Sequence, residues 1–261
     1  MRRQIALAVG VLLALSTGHA AAPQPGSVLV ELFTSEGCES CPPADALLQN
    51  LIAGPATGVE IIGLGQHVDY WDRLGWKDRF SSAALTRRQQ LYATRFNTES
   101  IYTPQMVVDG RAEFVGSDVD QARKAIDRAL AAPHGVVHIE FEPLAQDVAR
   151  PALHLRVTAS DLPRSGRGDR ADVIVAITED RLHSNVTHGE NHGRTLTHAA
   201  IVRQMVTIAE AAADGPTSVR AEIVLGSDWQ RENLKIVAFV QERRGRAILA
   251  SAVTPLQNVR R

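Results

Sequence analysis

Two cysteines, Cys38 and Cys41, stand three positions apart where an apolar run gives way to a helical pattern, and no other feature constrains the chain as much. The run over residues 28–33 has the pattern of a strand covered on both faces. A turn through Ser35, Glu36 and Gly37 leads to the cysteines and to Pro42-Pro43. Ala44, Leu47, Leu48, Leu51 and Ile52 then recur at helical spacing, and the prolines suit a first turn whose amides have no intrahelical partner. Gly54-Pro55 ends this helix, and residues 59–64 read as a second buried strand. Strand, helix and parallel strand cross over right-handed, so the loops after Phe33 and Leu64 share one sheet edge. Open α/β sheets place their sites at such an edge.

The segment over residues 65–80 is long and holds two of the three tryptophans, Trp71 and Trp76. Ser81 or Ser82 can cap a helix reaching about Phe96, and Thr103-Pro104 introduces a strand over residues 105–108. Asp109-Gly110 signals a two-residue hairpin to residues 111–115. A helix follows from Asp118, with apolar Val119, Ala122, Ala125, Ile126, Ala129 and Leu130. From Val136 the apolar period becomes two, with Val137, Ile139 and Phe141 and then Leu153, Leu155 and Val157 in alternation. Further strands are expected at residues 173–178, 219–225, 234–241 and 247–253, and residues 202–209 lean to strand over helix. Six or seven short strands predict an antiparallel sandwich.

C-x-x-C at a helix start within a strand-helix-strand unit is a redox signature. The helix end stabilises a thiolate on Cys38, the expected attacking sulfur, and Cys41 resolves the mixed disulfide. Glu39 opposes that stabilisation with an effect of similar size, so the direction of electron flow stays open. The alternative is an inert structural disulfide. Closing a four-residue loop removes only about 2 kcal/mol of chain entropy, against roughly 4.7 for a hundred-residue loop, so this bridge is a poor staple.

The order β-α-β-α-β-β-α and the motif together resemble the thioredoxin fold over residues 28–132. The resemblance implies a cis proline at Pro104 opposite the cysteines, with Thr103 offering backbone groups to an extended substrate. The segments Glu31-Leu32-Phe33-Thr34-Ser35-Glu36-Gly37-Cys38, Cys41-Pro42-Pro43-Ala44-Asp45 and Gly189-Glu190-Asn191-His192-Gly193-Arg194-Thr195-Leu196-Thr197-His198 are similar to exported bacterial proteins grouped as domain of unknown function 1223. That resemblance implies a thioredoxin-like half and a β-rich half, and carries no established reaction. The expected fold is an α/β thioredoxin-like domain over residues 28–133, followed by an antiparallel β-sandwich over residues 136–256.

Arg2 and Arg3 precede an apolar stretch over residues 5–15, with Gly18 and Ala20 at signal-peptidase spacing, so residues 1–20 read as a secretory signal. The expected location is exported, periplasmic or secreted, without membrane insertion after cleavage. Loss of the leader moves the net charge from −1 to −3, which offers no field for gripping nucleic acid through its phosphates. The expected partner is a protein thiol or disulfide, with no cofactor and no metal. Oligomeric state is not legible in the sequence.

Trp71 and Trp76, with Tyr70 and Phe80, can anchor a substrate segment at the cysteine edge or plug the sheet end as a satellite core. His183, His188, His192 and His198 fall within sixteen positions but in a Gly- and Asn-broken stretch that assumes no ligand geometry. Glu190, Asn191, Arg194 and His198 form a polar group that can recognise a ligand, but the preferred reading is that Arg194 and Glu190 make the hydrogen bonds that fix an irregular loop against the first half of the chain. Two other functions stay open: a non-catalytic binding or adaptor protein, and a copper-handling protein using the two thiols and His67.

Overall fold

A computed structural model describes residues 26–54, 59–142 and 152–256. The expected secretory leader lies outside the described residues. The first half contains β1 (Gly26–Thr34), α1 (Pro42–Ile52), β2 (Val59–His67), α2 (Ala83–Phe96), β3 (Gln105–Val108), β4 (Ala112–Val115) and α3 (Val119–Leu130). Local chemistry explains the boundaries. Ser82 caps α2 by accepting from Ala84 N–H, Asp118 caps α3 by accepting from Gln121 N–H, and Asn97 closes α2 in the left-handed region. Asp109 and Gly110 take φ of 51° and 62°, the positive pair that a tight hairpin between β3 and β4 requires.

Strands dominate the second half: β5 (Val136–Phe141), β6 (Ala152–Ser160), β7 (Ala171–Glu179), β8 (Leu182–Asn185), β9 (Thr195–His198), β10 (Ile201–Glu210), β11 (Thr217–Val224), β12 (Leu234–Glu242) and β13 (Ile248–Pro255). The pair β8 and β9 forms a small hairpin with no counterpart among the expected strands.

The expected fold class, a thioredoxin-like α/β domain followed by an antiparallel β-sandwich, is corrected by the sheet topology. Among the described residues the chain is mostly β, with three α-helices, and one mixed sheet of eight strands runs in the order β13-β12-β7-β10-β2-β1-β3-β4. Strands of both halves therefore belong to the same sheet. The junction is narrow: β10 meets β2 in parallel at Ile201 and Gly65, where Gly65 N–H donates to Ala200 C=O at 2.7 Å. A β-carbon at Gly65 would stand 3.2 Å from the Ala199 carbonyl oxygen, so the close approach suits glycine.

The physical reason lies in β7 and β12, which are buried on both faces. Val173, Val175 and Ile177 of β7, with Ile236, Ala238 and Val240 of β12, face the three-stranded layer β11-β6-β5. Their alternate residues Ile174, Ala176, Val237 and Phe239 pack with Leu29, Ile62, Leu64 and Leu85 of the first half. Two-faced apolar strands cannot form the outer layer of an independent sandwich, because one face would be left in water. The sheet also coils until its ends meet: Ile248 N–H donates to Asp109 C=O at 2.9 Å and Ser27 Oγ to Ser251 C=O at 2.9 Å. Helices α1 and α3 cover a separate core of Val28, Val30, Leu32, Leu48, Met106 and Val108.

Candidate functional site

Cys38 and Cys41 form a disulfide with their α-carbons 5.4 Å apart. Cys41 is the N-cap of α1, and its carbonyl accepts from Ala44 and Asp45 N–H. Both cysteines are 0% exposed, whereas Glu39 and Ser40 between them face solvent. An accessible Cys38 is thus not what the structure contains, and a loop from the second half of the chain is fastened to the backbone of this turn.

That loop, carried by the hairpin of β8 and β9, lies over the cysteine turn. Asn191 is fully buried, and its amide donates at 2.9 Å to Glu36 C=O and at 2.9 Å to Cys38 C=O. Arg194 Nη1 donates to Asn191 Oδ1 at 2.8 Å, and Glu190 accepts from Glu39 N–H at 3.0 Å. Gly189, at φ 77°, lets the loop approach Trp76, whose β-carbon would be 3.2 Å from a β-carbon placed there. Of the two residues expected to fix this loop against the first half, Glu190 does so on the C-x-x-C backbone, whereas Arg194 stays within the loop and bonds Asn191, which makes the other contacts to the cysteine turn.

The residues of the expected groove also gather near the pair. Trp71 packs on Gly37 and donates its indole N–H to Thr103 Oγ1 at 2.8 Å, which joins the cysteine turn to the proline turn. The Thr103–Pro104 peptide bond is cis. Pro104 lies by the first turn of α1: a β-carbon at Gly116 would be 3.1 Å from both Pro104 Cβ and Ala44 Cβ. Trp76 points elsewhere and donates to Glu36 Oε2 at 2.8 Å. Tyr70 and Trp71 pack on a satellite core of Phe33, Val68, Tyr92 and Val107, while Phe80 joins Leu182 and Ile201.

Behind the cysteine turn is a buried acid and histidine cluster. His67 Nδ1 contacts Asp78 Oδ2 at 2.5 Å, and the second oxygen of Asp78 accepts from Phe80 N–H. Asp78 also accepts from Glu36 N–H at 2.9 Å, and Glu36 Oε1 contacts His198 Nε2 at 3.1 Å. The two imidazoles meet edge to face at 4.9 Å. Burial raises Glu36 and Asp78 and is the largest single effect on each, but their hydrogen bonds and neighbouring charges together, led by the bond to His198 for Glu36 and by the charge of His67 for Asp78, hold both carboxyls below their ordinary values. Burial lowers His67, yet the charge and hydrogen bond of Asp78 leave it above the ordinary histidine value. Asp45, by contrast, is raised by burial. His67 Nε2 and His198 Nδ1 have no hydrogen-bond partner among the described residues, and both rings line a cavity of about 10 Å³ beside Asp45, room for about one water.

Glu36, Asp78 and the pairing of each with a histidine were not legible beforehand. The nearest signal was that Glu36, Asp45 and His198 fall within the two family-like segments. His183, His188 and His192 are exposed and do not converge with buried His198. Among the described residues no group of three or more His, Cys, Asp or Glu side chains is arranged to hold a metal ion. His67, the extra ligand of the copper reading, has its Nδ1 committed to Asp78. No helix among the described residues is long and apolar enough to cross a membrane.

The family model for "Protein of unknown function (DUF1223)" matches residues 29–241, from β1 through β12, so it takes in both the cysteine turn and the loop that covers it. The chain belongs to this family. Among solved structures, a crystal structure of a protein from Agrobacterium tumefaciens is 26% identical, with a TM-score of 0.67, covering 92% of this chain and 99% of that one. HBP35 of Porphyromonas gingivalis is 14% identical, with a TM-score of 0.63 over 90% of this chain and 76% of its own, a likeness of fold alone. Among curated proteins none matches the sequence.

Proposed function

We propose that this chain is an exported thiol-disulfide redox protein whose Cys38–Cys41 pair exchanges with protein cysteines once the Asn191 loop lifts. The observation that carries this reading is a C-x-x-C disulfide at the start of α1 with Trp71, Thr103 and Pro104 gathered beside it. A partner thiolate attacks Cys38 Sγ, the Cys38–Cys41 bond breaks, and Cys41 leaves as a thiolate. A second partner thiolate then attacks the partner sulfur of the mixed disulfide and releases Cys38. Two electrons pass from the partner to the pair, the partner leaves as a disulfide, and the same steps run backwards reduce a partner. Trp71, Thr103 and Pro104 are assigned to hold the partner chain against the turn.

Full burial of both sulfurs favours a second reading, in which the disulfide shapes the seat for Asn191 in a non-catalytic binding protein. Insulin reduction by dithiothreitol separates the two. The redox reading expects the protein to accelerate it and Cys38→Ser to abolish the effect. Equal rates with wild type, Cys38→Ser and no protein overturn it.

A further inference from the structure

Away from the cysteine edge, a groove of about 670 Å³ runs between α2 and the uncovered part of β7 and β10, a volume in the range of small-molecule sites. Five arginines line it, against the single carboxylate of Asp172. That carboxylate is already held by Arg243 at 2.6 Å. Two of the arginines are neutralised: Arg88 by Glu31 at 2.6 Å, and Arg203 by Glu179 at 3.3 Å and Asp228 at 2.8 Å. Arg79, Arg87 and Arg246 have no carboxylate within ion-pair distance among the described residues.

Arg246 is the most telling of these. It is only 8% exposed, sits at φ 60° in the turn between β12 and β13, and its Nε is buried with no hydrogen-bond partner. Burial and the neighbouring charge of Arg88 hold this guanidinium below its ordinary value although the carboxylates of Glu31 and Asp172, neither within ion-pair distance, act against them, and an incoming anion relieves that penalty. Arg203 adds an apolar platform, because its guanidinium lies 5.6 Å from the ring centre of Phe80 and 5.4 Å from that of Trp229.

We propose that this groove binds a small organic anion: a flat aromatic body stacked on the Arg203–Trp229 platform, with a carboxylate or phosphate held by Arg246 and Arg87. The guanidinium fork suits either head group. The site is separate from the disulfide and stands or falls independently of the redox reading.

Calorimetric titration of the full chain with phenyl phosphate, phenylacetate, inorganic phosphate and phenol tests it. Saturable single-site binding is expected for at least one aryl anion, and the stronger of the two names the head group. Inorganic phosphate and phenol each lack half of the recognition and bind about tenfold more weakly or worse. Arg246→Gln weakens the aryl anion about tenfold or more, the loss expected for one charge-assisted contact. Arg87→Gln, an exposed change that leaves the fold intact, weakens it in the same direction and decides the matter if Arg246→Gln does not fold. Absence of saturable binding by both aryl anions overturns the proposal. So does inorganic phosphate binding as tightly as phenyl phosphate, or affinity unchanged in Arg87→Gln and in folded Arg246→Gln.

Discussion

Asn191→Ala separates a gate from a mere fastening. The side chain is 0% exposed, donates to two carbonyls of the cysteine turn and accepts from Arg194, so alanine removes three hydrogen bonds and strands the buried carbonyl of Glu36, while Cys38 C=O keeps Cys41 N–H. At about 1 kcal/mol for each of the two buried bonds and less for the part-buried one from Arg194, the loss is about 2–3 kcal/mol. For a chain of this size that lowers Tm by about 4–10 °C. The second consequence is sharper. Both sulfurs are sealed, so a reductant reaches them only through a population in which the loop has lifted, and 2 kcal/mol enlarges that population roughly 30-fold. Oxidised protein is mixed with dithiothreitol, quenched with an alkylating agent at intervals, and weighed by mass spectrometry. A rate about 30-fold above wild type is expected. A rate within about twofold of wild type, in a variant whose Tm has fallen, refutes gating by this loop.

Asp78→Asn leaves His67 without its counter-charge and is expected to destabilise by about 3–5 kcal/mol, measured by urea unfolding. His67 is raised in the folded state, so its contribution is full below the ordinary histidine value of about 6.5 and is lost as pH rises through the folded value. A wild-type minus Asp78→Asn stability difference that does not shrink on going alkaline from there contradicts the pairing. Glu36 and Asp78 are lowered, so their contribution is present above about pH 4 and disappears as pH falls through their folded values. Phe239→Ala, at a position 0% exposed and packed between the halves, is expected to cost about 3–5 kcal/mol within one cooperative transition followed by both circular dichroism and tryptophan emission. Two separated transitions in wild type speak against a shared core. Gly65→Ala pushes a β-carbon to 3.2 Å from the Ala199 carbonyl oxygen and is expected to lower the urea midpoint by the equivalent of about 1–3 kcal/mol, and an unchanged midpoint places the junction elsewhere.

Much of the local structure was legible. The caps Ser82 and Asp118, the Asp109-Gly110 hairpin and the strands from Val136 onward follow from side chains that act within a few residues of themselves. The candidate site was legible only in part. Cys38, Cys41, Trp71 and Thr103 could be named because the motif and the turn announce them, whereas Glu36 and Asp78 carry no local mark of their pairing. Hairpin β8 and β9 went unseen because Leu182 and Leu196 are the only long apolar side chains in its two short strands.

By itself, the amino-acid order determined most of the strands and the three helices, the β8–β9 hairpin excepted, and that two sulfurs would stand at a helix start, since periodicity and capping are settled within a turn or two of backbone. Tertiary structure alone decided that the two halves share a sheet and that the sulfurs are covered. Both outcomes rest on contacts between distant segments, Gly65 with Ala200 and Asn191 with Cys38. Such contacts depend on loop closure and on burying both faces of β7 and β12, quantities that no short window of residues expresses.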